Sequence, residues 1–309
     1  MSLRLRRHEN VRDAIRRIGR VRIGSAAERI HGASKLGSGE RIHEARKQLK
    51  RARALLRLVR PEVSHERWSR VDHRLREVGR ALSAVRDATV LIETLKKLPG
   101  DGAPTPESIT RVLSAVQLRR ARVHADVLAS DSARQRLDRL LREAARSLTR
   151  WTMRHRGWKT VAQGLRSIYC EAQTAATPLQ HVADCDDLTL HKARKRAQTL
   201  LHVLEFLQPV RPGYIGGRIR GLHELAGVLG KDHDLAVLEA TVRDAATVRL
   251  TRDALARITA AVSAQRNALQ SRASRLAERI YADTEDAFVS QIHHHWKTWR
   301  SGKRRGHEK

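Results

Sequence analysis

The chain has 309 residues, 62 of them Lys or Arg against 33 Asp or Glu, for a formal net charge of +29. A hydrophobic fraction of 40% can bury a real core, whereas aromatics at 3% are too few for a protein that grips single strands by stacking bases. Cys170 and Cys185 alone exclude a disulfide framework and a cysteine zinc site, and no run approaches the roughly 20 apolar residues of a membrane span.

Those limits point to a polyanionic partner and to a soluble, cytoplasmic chain. The Arg-rich start has no apolar signal-peptide run, and Glu9 and Asp13 argue against an organelle-targeting segment. Val11, Ala14, Ile15, Ile18, Ala26 and Ile30 recur at helical spacing, so a first helix is expected over residues 10–32. Arg12, Arg16, Arg17, Arg20 and Arg22 belong to its other faces. Residues 35–39, KLGSG, break it.

The next helix, residues 41–61, is half core and half cation. At about 100° per residue, His43, Arg46, Lys47, Lys50, Arg51, Arg53 and Arg57 fall on one side. Ala45, Leu49, Ala52, Leu55, Leu56 and Val59 fall on the other. From His43 to Arg57 the ridge is about 21 Å long at about 1.5 Å per residue, which suits a row of anionic groups. Solvated faces usually mix signs through i,i+4 pairs, but only Glu44 interrupts this one. Pro61 ends the helix by disfavouring helical backbone at the residue before it.

A helix over residues 64–98 follows, with Val71, Leu75, Val78, Leu82, Val85 and Leu91 or Ile92 inward, closed by the turn at 99–102. Further helices are expected at 107–129 and at 132–150, the second with Leu137, Leu140, Leu141, Ala144 and Leu148 in register. Residues 158–176 form another, carrying Arg166 and Tyr169 and ended by Pro178. Asp186 and Asp187 supply an acidic first turn to LTLHKARKRAQTLLHVLEFLQP. A final long helix at 250–281 and a basic tail complete an all-α chain with no period-2 segment.

The second half repeats the first. Placing His191 on His43 puts Arg194 on Arg46, Lys195 on Lys47 and Pro209 on Pro61. Residues 74–91 match 221–238, superposing Leu75 on Leu222, Glu77 on Glu224, Leu82 on Leu229 and Asp87 on Asp234. One domain of two pseudo-symmetric helical bundles, about 8–150 and 158–300, is expected ahead of a basic tail at 301–309. The second ridge is poorer: Gln198, Thr199, Leu201 and Glu205 stand where the first has Lys50, Arg51, Arg53 and Arg57, although His202 adds a contact. The first half is therefore expected to supply more binding energy.

No metal, cofactor or catalytic constellation emerges. His43 and His191 lack the further ligands zinc requires and stand among cations, so each is read as a donor to an anion. The surrounding charge should lower their pKa. Asp87 and Asp234 have no identifiable nucleophile or metal partner and are read as structural ion pairs. In Lys231-Asp232-His233-Asp234, consecutive helical side chains point in different directions and do not gather on one ion. Leu229-Gly230-Lys231 is not a Walker loop, because Leu225 and Asp232 replace its required Gly and Ser or Thr. His293-His294-His295 reads as a helix end or tail.

IHEARKQLKRARALLRLVRP, LHKARKRAQTLLHVLEFL with the preceding GLRSIYCEAQTAA, and the Asp-bearing VRDATVL and LGKDHDLAVL resemble the conserved-histidine α-helical (CHAD) domain family over nearly the whole chain. The resemblance implies two four-helix bundles facing a shared basic surface, inorganic polyphosphate as partner, and association with polyphosphate granules. Carried over, the phosphate-binding set is His43, Arg46, Lys47, Lys50, Arg51, Arg53, Arg57, His191, Arg194 and Lys195, with His202 added from the residues themselves. Gln198 and Leu201 depart from the family's basic pattern, which puts an evenly two-sided site in doubt. The expectation is a binder without catalytic activity. The rivals are nonspecific nucleic-acid binding at low salt and a regulatory subunit or enzyme of polyphosphate metabolism.

Overall fold

The apolar stripes become buried helix faces. A computed structural model describes residues 3–32, 38–96, 110, 114, 130–244 and 250–302, and every regular element among them is helical. Helix α1 (Val11–Ile30) starts where the Asn10 side chain accepts the Arg12 backbone N–H at 3.0 Å, and it buries all six apolar residues expected of it. Arg22 departs from expectation: it is buried, and its guanidinium donates to the Gln48 side-chain oxygen at 2.7 Å. A charged residue survives there because its stem packs with the core while its head finds a polar partner.

Helix α2 (Ser38–Leu58) buries Ala45, Leu49, Ala52, Leu55 and Leu56, with Val59 just beyond, and a 3-10 turn at Arg60–Glu62 holds Pro61. Helices α3 (His65–Lys96) and α4 (Asp131–Thr149) complete the first copy as described. Ser130 caps α4 by accepting the Ala133 N–H. The helix expected at 107–129 and the side chains of Val85, Asp87, Leu91 and Ile92 lie outside the described residues.

In the second copy, α5 (Lys159–Ala176) runs into a 3-10 stretch at Thr177–Asp184. The α-helix thus ends ahead of Pro178 as expected, and the chain continues in 3-10 turns. Helix α6 (Asp187–Leu207) begins where the Asp186 carboxylate accepts the Thr189 N–H at 2.7 Å. It ends in a 3-10 turn at Gln208–Val210 that holds Pro209, the counterpart of Pro61. Helices α7 (Pro212–Arg243) and α8 (Arg252–Ile280) follow. Beyond them the run His293–His295, expected at a helix end or tail, lies within one more helix, α9 (Glu285–Ser301), which buries Phe288, Ile292 and Trp296. No described helix is long and apolar enough to cross a membrane.

One continuous hydrophobic core runs through both copies, from Leu5 and Ile15 to Leu204 and Phe288. Across the halves, α2 packs on α6 and α3 on α7, so each helix lies against its own repeat counterpart. The connection between copies is pinned. Trp151 is buried, with its carbonyl accepting from Arg16. The buried Glu62 carboxylate accepts the His155 backbone N–H at 2.8 Å and contacts its Nδ1 at 3.0 Å.

A close crossing lies between the halves, where Gly164 of α5 meets the end of α2. A Cβ at Gly164 would stand 1.7 Å from the Leu58 carbonyl oxygen, and backbone cannot swing aside as a side chain does. Gly164→Ala should therefore cost about 3 kcal/mol in urea unfolding, the upper range for overpacking. Gly227→Ala, in a helical position with nothing near, should raise stability by about 0.5–1 kcal/mol. Equal effects of the two would contradict the close crossing.

Candidate functional site

The contact between α2 and α6 is where the cations of the two copies meet. Lys50 Nζ lies 3.3 Å from Gln198 Oε1, and the two residues are 148 positions apart, the offset that also separates His43 from His191. A residue that touches its own counterpart sits on the axis relating the copies. The ridges therefore face one another, and Lys50 marks the centre.

Around that centre the charges crowd. Lys50 is open to solvent where α2 packs on α6. Loss of hydration, then the charges of Arg194, Arg46 and Lys195, push its amine down to about 8, against the opposing pull of Asp234. His191 is driven to about 4 by burial, then by Lys195, His233, Arg194 and Lys50, the depression expected of a histidine among cations. Its ring lies against that of His233, centroids 4.6 Å apart, and its buried Nδ1 has no hydrogen-bond partner. Lys195 is lowered as well, by burial and then by Arg53 and Arg196. The Arg194 guanidinium lies over Gly230, where a Cβ would come within 3.1 Å of it.

The rest of the predicted ridge is braced by carboxylates. Arg51 forks onto Glu205 at 3.1 and 3.2 Å, and Arg53 onto the buried Asp72 at 2.8 and 3.4 Å. Arg57 pairs with Glu171, which Arg196 also reaches at 2.9 Å. Lys47 pairs with Glu44 at 3.2 Å, and the half-exposed His43 lies 4.0 Å from the same carboxylate. His202 was expected to add a phosphate contact. Its side chain is instead largely buried, with Nδ1 3.1 Å from Glu205, so it faces inward and supports that carboxylate.

Arg51, Arg53 and Arg57 of the first copy are tied to carboxylates, and the charges of Arg46 and its counterpart Arg194 both act on Lys50. Two positions that read as losses in the second copy turn out to be acceptors: Gln198 for Lys50 and Glu205 for Arg51. Asp232, His233 and Asp234 diverge as expected. Asp232 is buried against Arg266 at 3.1 Å and Gln270 at 2.9 Å, His233 lies on His191, and Asp234 acts on Lys50. Asp87 lies outside the described side chains.

A family model for the CHAD domain matches residues 27–243. Among solved structures, PptA from Streptomyces chartreusis superposes with a TM-score of 0.63 at 15% identity, over 88% of this chain and 99% of that one. The crystal structure of the CHAD domain from the plant Ricinus communis superposes with a TM-score of 0.55 at 19% identity, over 92% of this chain and 90% of that one. At these identities the likeness is one of fold. No curated protein matches the chain.

Burial alone would raise the Glu205 carboxyl, but the hydrogen bond and charge of His202, then those of Arg51, outweigh it and hold the group at about 2. His202 is itself held below its ordinary range, burial being the main cause, so near neutral pH Arg51 supplies the charge. A carboxylate depressed on folding contributes stability that is full above its unfolded value, 4.5, and lost as pH falls toward 2. Glu205→Gln should cost about 1–3 kcal/mol at pH 7, and its deficit against the wild type should shrink as pH falls across that window. A deficit independent of pH in chemical denaturation would contradict the assignment.

Proposed function

We propose a function for this chain from one premise: it belongs to the CHAD-domain family. The trough between α2 and α6 binds linear inorganic polyphosphate by charge. The observation that carries this reading is the convergence of Arg46, Arg194 and Lys195 on Lys50 at the axis between the copies. Like charges packed so closely repel, and that repulsion adds to burial in depressing the amine of Lys50. A chain of phosphates would relieve it, replacing repulsion with attraction and releasing condensed counterions. The inner set is Arg46, Lys50, His191, Arg194 and Lys195, with His43 and Lys47 toward one end. Arg51, Arg53 and Arg57 hold the walls.

The same charge would attract nucleic acid at low salt. Phosphates are favoured over bases because the aromatic rings are engaged elsewhere: Trp158 stacks on His293, Trp296 contacts Trp158 and Trp299, and Tyr169 stacks on Phe288. Binding without turnover is the reading for the chemistry. The carboxylate of Asp232 is spent on Arg266 and Gln270, and Asp234 counters Lys50. Capture of this kind in the cytoplasm would also carry the protein onto polyphosphate granules.

Titration calorimetry with polyphosphate over a salt series tests the proposal. Lys50→Ala, Arg46→Ala and Arg194→Ala should each weaken binding about tenfold and lower the salt slope by about 0.7 per lost contact, the value for single strands. Arg53→Ala should leave the slope unchanged. Polyphosphate should displace DNA at physiological salt, and purified protein should release no orthophosphate. Displacement in the reverse direction would favour the nucleic-acid reading, and orthophosphate release would establish an enzyme.

A further inference from the structure

We propose that the exposed arginine row of α4 is a second polyanion-binding surface, so that one protein molecule holds two polyphosphate chains and cross-links them. The identity of the chains rests on the polyphosphate reading above, whereas the existence of a second anion surface does not.

At about 100° per residue, Arg139, Arg142, Arg146 and Arg150 fall within about 80° of one another around α4. Leu137, Leu141, Ala144 and Leu148 are buried on the opposite side, and all four arginines are exposed. The row is about 16 Å long at about 1.5 Å per residue. A solvated face usually balances such a row with acidic residues one turn away. On α4 those acids are engaged with other partners. Asp131 pairs with Arg134, Glu143 reaches Arg74 of α3 at 3.0 Å, and the buried Asp138 holds His31 at 3.0 Å as well as Arg142 at 2.6 Å. Among the described residues, no carboxylate meets the side chain of Arg139, Arg146 or Arg150. Attraction to the carbonyl end of the helix accounts for Arg146 and Arg150, but not for Arg139, two turns earlier.

The packing of the first bundle sets this row apart from the site between α2 and α6. Helix α4 packs on α1 and α3, the same two helices that hold α2, so α2 and α4 stand at opposite corners of the bundle. Both turn apolar faces to one core, α2 with Leu49 and Leu56 and α4 with Leu141 and Leu148. Their cationic faces therefore point in opposite directions. With neighbouring helix axes about 10 Å apart, the two rows are separated by roughly 25 Å through the protein. A short oligophosphate cannot reach both, and a chain held at one leaves the other open to a second chain. All four side chains of the α4 row are guanidiniums, whose planar fork matches phosphate oxygens better than an ammonium does. A molecule with two such faces gathers polymer chains together.

The test uses the full-length protein with two probes: tripolyphosphate, too short to reach both faces, and long-chain polyphosphate. Calorimetry with tripolyphosphate should show two sites per molecule. Long-chain polyphosphate should give light scattering that rises and then falls as polymer comes into excess. Arg139→Ala/Arg146→Ala/Arg150→Ala should lose one site and lower the scattering about tenfold, with the affinity of the remaining site changed less than about twofold and thermal unfolding unmoved. Arg252→Ala/Arg275→Ala/Arg279→Ala removes the same charge from exposed positions spread along α8 and should leave the scattering intact. Equal loss in both triple variants would reduce the effect to net charge and overturn the proposal. A single wild-type site that the α4 substitutions do not touch would overturn it too, while the polyphosphate reading stands. Weaker binding of duplex DNA by the α4 variant, with polyphosphate stoichiometry unchanged, would give the row to nucleic acid and overturn it as well. Two sites in Lys50→Ala and one in the α4 variant would uphold the α4 surface and overturn the site between α2 and α6. Binding of neither probe would overturn both.

Discussion

Two copies of one cationic helix are packed face to face, and the rest of the structure is an answer to the repulsion this creates. At the edges of the contact, carboxylates neutralise it: Glu205 takes Arg51, Glu171 takes Arg57 and Arg196, and Asp72 takes Arg53. At the centre burial, then the charges of Arg46, Arg194 and Lys195 against the pull of Asp234, displace Lys50 far from its ordinary pKa, and His191 is displaced by burial and the same cluster. The protein thus stabilises its frame with ion pairs whose partners lie on other helices. The charges of Arg46, Arg194 and Lys195 gather around Lys50 on the axis between copies.

That arrangement sorts cations by task in a way the helical wheel does not. The seven ridge residues of α2 share one face, but Lys47, Arg51, Arg53 and Arg57 are set apart by the carboxylates they pair with. The periodicity of α1 and α2 was legible because burial follows spacing, and every apolar residue assigned inward on them is buried. Pro61 and Pro209 were legible as repeat partners because each begins the same tight turn after the same helix. Arg22 was misplaced because periodicity says nothing of a buried polar partner such as Gln48. Glu205 and Gln198 looked like losses because a repeat comparison scores resemblance, whereas an interface between unequal copies needs complementarity. The stripe Phe288, Ile292 and Trp296 was present at i, i+4 and i+8 but was hidden behind the run of histidines.

The fold also shows why the two halves act as one body. The N-terminal segment crosses to the second copy, with the Leu5 N–H donating to the Phe206 carbonyl at 3.2 Å and Arg300 donating to the Arg7 and Glu9 carbonyls. The close approach of Gly164 to Leu58 and the pinned connection at His155 add ties on other sides. A trough built from two helices holds its shape only if those helices cannot drift apart, and these contacts supply that restraint.

The central claim is that one chain of phosphates lies over Lys50, contacted by arginines from both copies. A crystal structure with a short polyphosphate tests it most directly. The account predicts phosphate density over Lys50, bridging Arg46 and Arg194. Density along the arginines of α1, with the contact between α2 and α6 unoccupied, would contradict it.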